Sequence, residues 1–324
     1  MRFRENINTI GIVTATSGGR RRLLESELTQ AGLESMALRA KRTLEIMHEW
    51  GYAPTLQALA DDLLGGAVTV PTLLLSVSNS DDVVVEDGFA FLRTHRSLLE
   101  KSRRRVETHR SLNGSARTIA EGFARELTLA CPLVECVGLS GSVASGGFES
   151  RDDIDINLFV LDGAKYFVYA VALLLGLRVA IRHRQSRGLR KLICINVVWT
   201  RSQCDPFVRQ DSSLAFELLH CRTILGGACF QRVIRANPWI DDFFPQLRET
   251  PVLDLPQPSP NSVGRIVLWI GRHERLLRSL EQSARLLTKA AYSLSHWLRR
   301  GDPTAMERLR FLQRVKYPYE VFQD

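Results

Sequence analysis

A chain of 324 residues, 45% of them hydrophobic and 24% charged, is too long for one minimal core and reads as a soluble globular protein of two or three domains. Its formal net charge of +8, with arginine outnumbering lysine, suits anionic partners such as phosphates, nucleotides or RNA. Cys131, Cys136, Cys194, Cys204, Cys221 and Cys229 are irregularly spaced, with no C-x-x-C and no histidine at zinc-ligand spacing, so reduced, mostly buried thiols of a cytoplasmic protein are expected.

No sustained period runs through Met1 to about Arg22, and residues 1–30 are expected to form a loosely ordered leader. The apolar run Ile10 to Val13 is too short for a signal peptide. From Leu33 a helical stripe carries Leu38, Leu44, Ile46 and Met47 and ends at Trp50-Gly51. Pro54-Thr55 caps a second short helix, Leu56 to Leu64, closed by Gly65-Gly66. Thr69-Val70-Pro71 opens a third, because proline fits the first helical turn. Val83 to Val85 and Phe89 to Leu92 then read as two short strands joined by a tight Asp87-Gly88 turn. Three helices and a hairpin give residues 31–115 the outline of a winged helix. The third helix, Val70 to Ser76, is nearly devoid of cations, whereas a groove-reading helix needs Arg, Lys, Asn or Gln on one face. A docking or structural role is expected ahead of DNA contact.

Residues His95 to Ala130 are helical, with a break expected near Asn113-Gly114. The run Lys101-Ser-Arg-Arg-Arg105 is the densest positive charge in the chain; it is either a solvated helix face or a grip on an acceptor's phosphates. Pro132 opens a central domain, placed at residues 116–250. It has a strand from Val134 to Leu139, a Gly141-Ser142 turn, a strand from Ile154 to Leu161 and a helix from about Ala164 to Leu177. Tyr166 to Ala180 is the most apolar window, yet it falls short of the roughly 20 residues that span a bilayer and is broken by Arg178. No membrane partner is expected. A basic loop, Arg182 to Lys191, precedes a third strand, Leu192 to Trp199, and then helices over Leu214 to Leu219 and Phe230 to Ala236. Residues 251–262 are a proline-rich linker, and 263–324 a helical region that includes Val263 to Leu298 and Thr304 to Val315. The alternation of strands and helices predicts an α/β (α+β) fold with a mixed sheet.

Chemistry concentrates in Val137 to Val160. Residues two apart in a strand share a face, so Asp153 and Asp155 project together while Ile154 and Ile156 face the core. Two adjacent carboxylates repel unless a divalent cation lies between them. The Gly-Ser turn before them leaves room for a phosphate near the backbone and adds the Ser142 hydroxyl.

Gly141-Ser142, ten intervening residues, Asp153-Ile-Asp155 and the strand Ile156 to Val160 resemble the signature of the nucleotidyltransferase superfamily with the DNA polymerase β fold. Thr200, Phe216-Glu-Leu-Leu219, Ala236-Asn-Pro-Trp-Ile240 and the Asp87-Gly88 hairpin are similar to those of uncharacterised bacterial nucleotidyltransferase-domain proteins with an N-terminal winged-helix-like region. The resemblance implies a nucleotidyltransferase core flanked by that region and by C-terminal helices. Asp153 and Asp155 would hold Mg²⁺, with Mn²⁺ as the substitute, and Gly141, Ser142 and Lys191 would bind a nucleoside triphosphate. The implied reaction moves a nucleoside monophosphate onto an acceptor hydroxyl or phosphate: a small molecule, an RNA end or a protein side chain. The alternative is a catalytically weak nucleotide-binding regulator with a DNA-binding winged helix.

A third carboxylate is usual in that superfamily, on a neighbouring strand. Its place falls in Leu192 to Trp199, where this chain offers Asn196 and no acid. Asp205, Asp211 or Glu217 could take over, the acceptor could bring its own activation, or nucleotide could bind without efficient turnover. Asp152 points to the opposite strand face and is expected to be a solvated acid.

Overall fold

The computed structural model describes residues 35–78, 80–183, 192–249, 258–298 and 301. The leader before residue 35, the phosphate-binding candidate Lys191, most of the proline-rich linker and the helix expected over Thr304 to Val315 lie outside the described residues.

Three helices open the described chain: α1 (35–49), α2 (Leu56–Asp61) and α3 (Val70–Val77). The Thr55 and Thr69 side chains accept the backbone N–H groups of Ala58 and Thr72, so both short helices start on threonine caps. β1 (Val83–Glu86) and β2 (Phe89–Leu92) pair antiparallel across the Asp87-Gly88 turn. Asp87 takes a φ of +51° there, a left-handed conformation that Asp tolerates better than most side chains.

One helix of 33 residues, α4 (Leu98–Ala130), follows. It corrects the break expected at Asn113-Gly114, and it runs through the expected domain boundary at residue 115. Local propensity yields here to burial. Ala116, Ala120, Phe123, Ala124 and Leu127 recur at helical spacing and are all buried in the core beneath the sheet. At its other end α4 buries Leu99 with Ala53, Phe89 and Phe91 of the hairpin region.

The main sheet holds β3 (Val134–Ser140), β4 (Ile154–Val160), β5 (Ile193–Thr200) and β6 (Arg222–Leu225) in the order β5-β4-β3-β6. β4 is antiparallel to β3 and parallel to β5, and β6 is antiparallel to β3, so the sheet is mixed. The fold is accordingly mixed α/β. The edge strand β6 has no counterpart among the expected elements; four residues between two helices carry too little alternation to read. β4 is covered on both sides, and its second half, Leu158-Phe159-Val160, is continuously apolar. Ile154, Ile156, Leu158 and Val160 join α4 and α6 (Lys165–Arg182) in one core. Phe159 of β4 with Trp199 of β5 joins a second core, shared with α1, α2 and α3.

Four further helices lie between β3 and the linker: α5 (Gly141–Ser145), α7 (Arg201–Cys204), α8 (Ser212–Leu219) and α9 (Gly227–Ala236), with the short α10 (Gln246–Glu249) after them. Beyond the linker, α11 (Ser262–Gly271) packs on α4 and α12 (Glu274–Leu298) on α6. No side chain of the preceding residue caps α6. Glu281 of α12 does so instead, accepting the N–H of Tyr166 and of Phe167, both at 2.8 Å. A carboxylate at a helix N-terminus meets unpaired N–H groups and the positive end of the dipole, so this contact ties α12 to the sheet domain. No described helix is long and apolar enough to cross a membrane.

Two stability measurements check this reading. Nothing lies within 4 Å of a Cβ built on Gly114, so Gly114→Ala is expected to raise stability by about 0.5–1 kcal/mol in denaturant unfolding. A fall would restore the break. Glu281→Ala is expected to cost roughly 1–2 kcal/mol through the uncapped α6.

Candidate active site

β3 and β4 are neighbours, and their register sets Ser140 opposite Asp155 and Gly138 opposite Asn157. The chain leaves β3 through Gly141 with a φ of +61°, the left-handed region that favours glycine. A Cβ at this position would come within 2.1 Å of Asp155 Oδ2. Glycine is therefore required twice, for the backbone angle and for the carboxylate lying against it. The turn runs into α5, which ends at Gly146, again left-handed at φ +85°.

The parallel neighbour β5 brings Cys194 beside Asp155. Burial pushes the Asp155 carboxyl up to about 7, with the charges of Asp153, Glu217 and Asp152 adding to the effect and a hydrogen bond from the Cys194 thiol opposing it. Behind it lies a buried polar cluster. Ser140 Oγ donates to Asn157 Oδ1 at 3.1 Å, and Asn157 Nδ2 donates to Glu217 Oε1 at 3.0 Å. Asn196 Nδ2 donates to Asn157 Oδ1 at 3.0 Å and to Glu217 Oε1 at 3.2 Å. Ser140, Asn157 and Glu217 are each at most 1% exposed.

Five of the six candidate site residues thus fall in one place: Gly141, Ser142, Asp153, Asp155 and Asn196. Asn196 does not stand in for the missing acid by itself, since its amide donates to a carboxylate that comes from α8. Of the three substitutes considered, Glu217 is the one whose charge bears on Asp155. Asp211 is occupied as the cap of α8, accepting from Leu214 N at 2.9 Å, and pairs with Arg209. Asp205 lies beside Glu135, Arg201 and Cys229, at the start of β3. Sequence spacing offered no way to select Glu217: it lies on a helix 21 residues beyond Asn196, and only folding sets the two side by side.

Asp152 is not the solvated acid expected. Its carboxylate binds Arg105 Nη2 at 2.6 Å and accepts the N–H of Glu149 at 3.1 Å. Arg105 belongs to the basic run of α4, so that run is no purely solvated face. Ser102 within it is buried, and its Oγ accepts the N–H of Ala53 at 2.8 Å. His109, further along α4, has Nδ1 3.3 Å from Phe148 N. The Arg105 and His109 contacts fasten the glycine-rich connector between α5 and β4 to α4, while Ser102 ties the segment after α1 to the same helix.

Among the described residues, no group of three or more His, Cys, Asp or Glu side chains is placed to hold a metal ion. Asp153 and Asp155 offer two oxygen donors, which suits a hard cation that takes its other ligands from phosphate and water. The charges of Asp153, Glu217 and Asp152 bear on Asp155, which is pushed toward its neutral form. A bound cation would reverse that shift.

Comparison with protein-family models, with curated proteins and with solved structures found no match.

The raised pKa of Asp155 carries a linkage consequence. An acid that binds its proton more tightly when folded loses stability as pH rises from its unfolded value, about 4, through its folded value. Without divalent cations, the thermal midpoint of the protein is expected to fall between about pH 4 and pH 7 through this group. Asp155→Asn should flatten that segment of the profile and raise the midpoint at pH 8. An unchanged slope in the variant would reject the assignment.

Proposed function

We propose that the protein is a divalent-cation-dependent nucleotidyltransferase, which transfers a nucleoside monophosphate from a nucleoside triphosphate to an acceptor. The observation that carries this reading is the contact of Gly141 with the Asp155 carboxylate. It joins a Gly-Ser turn and an Asp-x-Asp pair on adjacent antiparallel strands, so a phosphate chain and its counter-cation would share one site.

In this reading Asp153 and Asp155 hold Mg²⁺ or Mn²⁺. When bound, the cation supplies charge neutralisation and polarises the phosphorus–oxygen bonds. Gly141 keeps the turn free of a side chain where phosphate oxygens approach, and Ser142 offers a hydroxyl donor. The cluster of Ser140, Asn157, Asn196 and Glu217 holds the strand face behind Asp155 in one arrangement. Such a rigid, preorganised set of dipoles is what transfer of a highly charged group needs. Glu217, whose Oε1 accepts from Asn157 and Asn196, braces this cluster from α8, and Asp153 and Asp155 alone would hold the cation.

The alternative of a DNA-binding regulator gains nothing from α3. Its exposed residues include Leu74 and Leu75, and the helix contains no cation.

Incubation with labelled ATP, GTP, CTP and UTP and a panel of acceptors tests the activity. Asp153→Asn and Asp155→Asn are each expected to lower transfer on the order of 10²-fold or more. Mg²⁺ should raise the thermal midpoint of the wild type at pH 8 and leave the double variant unmoved. Transfer that survives both substitutions rejects the site.

A further inference from the structure

A cavity of about 410 Å³ lies between the N-terminal helices, α4 and the Gly-Ser turn. Its walls come from three parts of the chain. Trp50 and Tyr52 stand at the end of α1, Lys101, Arg105 and Arg110 project from α4, and the stretch from Gly141 to Gly147 closes the third side. Asp153 and Asp155 are not among its lining residues.

The charge of this cavity is unbalanced. Arg105 is held by Asp152 at 2.6 Å and by Glu149 at 3.9 Å, so its charge is offset within the protein. Lys101 Nζ donates to the carbonyl of Gly51 at 3.3 Å. Among the described residues, neither Lys101 nor Arg110 forms an ion pair. Asp62, the one carboxylate in the lining, faces His220 Nε2 at 3.1 Å. Lys101 and Arg110 together outnumber Asp62, so the lining carries an excess of positive charge for an anion to meet. The volume falls within the range of roughly 300–1,000 Å³ usual for small-molecule sites.

Gly141 belongs to both sites. One side of it lies against Asp155 Oδ2, and it lines the cavity together with Ser142, so the two sites adjoin at the Gly-Ser turn. We propose that the cavity seats the acceptor, and that the acceptor is a small phosphorylated molecule held through its phosphate by Arg110, with Lys101, about 13.5 Å away along α4, adding positive charge at the other end of the wall. This rests on the transferase reading above. The N-terminal region then completes the active site instead of reading DNA. In the step itself, an acceptor hydroxyl oxygen forms a bond to the α-phosphorus of the nucleoside triphosphate. The bond from that phosphorus to the bridging oxygen breaks, pyrophosphate leaves with the electron pair, and the hydroxyl proton passes to water.

Calorimetric titration of the whole protein separates this proposal from the transferase reading. The probes are inorganic phosphate, ribose 5-phosphate, unphosphorylated ribose and a single-stranded RNA oligonucleotide, each in EDTA and again with Mg²⁺ and a non-hydrolysable ATP analogue. Saturable binding of both phosphate probes, absent with ribose and retained beside the ATP analogue, is the expected result. The Lys101→Met/Arg110→Met variant should weaken it by about tenfold or more. Asp153→Asn/Asp155→Asn should keep it, whatever becomes of catalysis. Arg110→Lys, which keeps the charge, should bind more tightly than Arg110→Met, which guards against a folding defect. Failure of both phosphate probes to bind, or their displacement by the ATP analogue, overturns the proposal, the latter by making the cavity part of the nucleotide site. RNA binding that is lost in the Lys101/Arg110 variant overturns it in favour of an RNA acceptor. A wild type that binds phosphate yet transfers no nucleotide to any acceptor would instead defeat the transferase reading alone.

Discussion

The approach of Gly141 to the Asp155 carboxylate is the constraint on which the rest of the site depends. A carboxyl oxygen occupies the space where any other residue at position 141 would carry its Cβ. That closeness is set by the register of β3 against β4, which in turn is held by cores on both faces of the sheet. A one-residue slip would turn Asp155 toward the helices and Ile154 toward the polar cluster. The register is protected because such a slip would drive Asp155 and Asn157 into the apolar core beneath the sheet and set Ile154 and Ile156 among the polar groups.

The same sheet face concentrates groups that a stable core would avoid. Asp155, Asn157, Asn196 and Glu217 gather where apolar residues would serve stability better. Each amide found here donates to an oxygen, so the cost is limited, but the carboxylates still repel. Structures tolerate such clusters mainly where chemistry or ligand binding needs them. α4 supports the arrangement from outside the sheet. Its basic first half pins the connector through Arg105 and Asp152, while its apolar second half lies under β4. One helix thereby couples the N-terminal helices to the segment that carries the carboxylates.

Much of this was legible in the residue pattern. The strands β3, β4 and β5, the hairpin and the apolar helix α6 all announced themselves through apolar runs and turn residues. So did the four candidate residues on the Gly-Ser and Asp-x-Asp segments, Gly141, Ser142, Asp153 and Asp155. Two features misled. Asn113-Gly114 suggests a break by propensity, yet a helix whose other face is buried over several turns runs through a glycine at modest cost. Asp152 reads as a solvated acid by strand alternation, because an arginine 47 residues earlier leaves no mark on the local pattern.

Sequence by itself determined which residues could do chemistry: the glycine, the serine and the paired aspartates, whose local spacing survives in any strand–turn–strand context. Only the tertiary structure decided which distant groups join them. Glu217 from α8, Cys194 from β5 and Arg105 from α4 reach the site through strand order, register and helix packing. Those are properties of contacts far apart along the chain, and no local period encodes them.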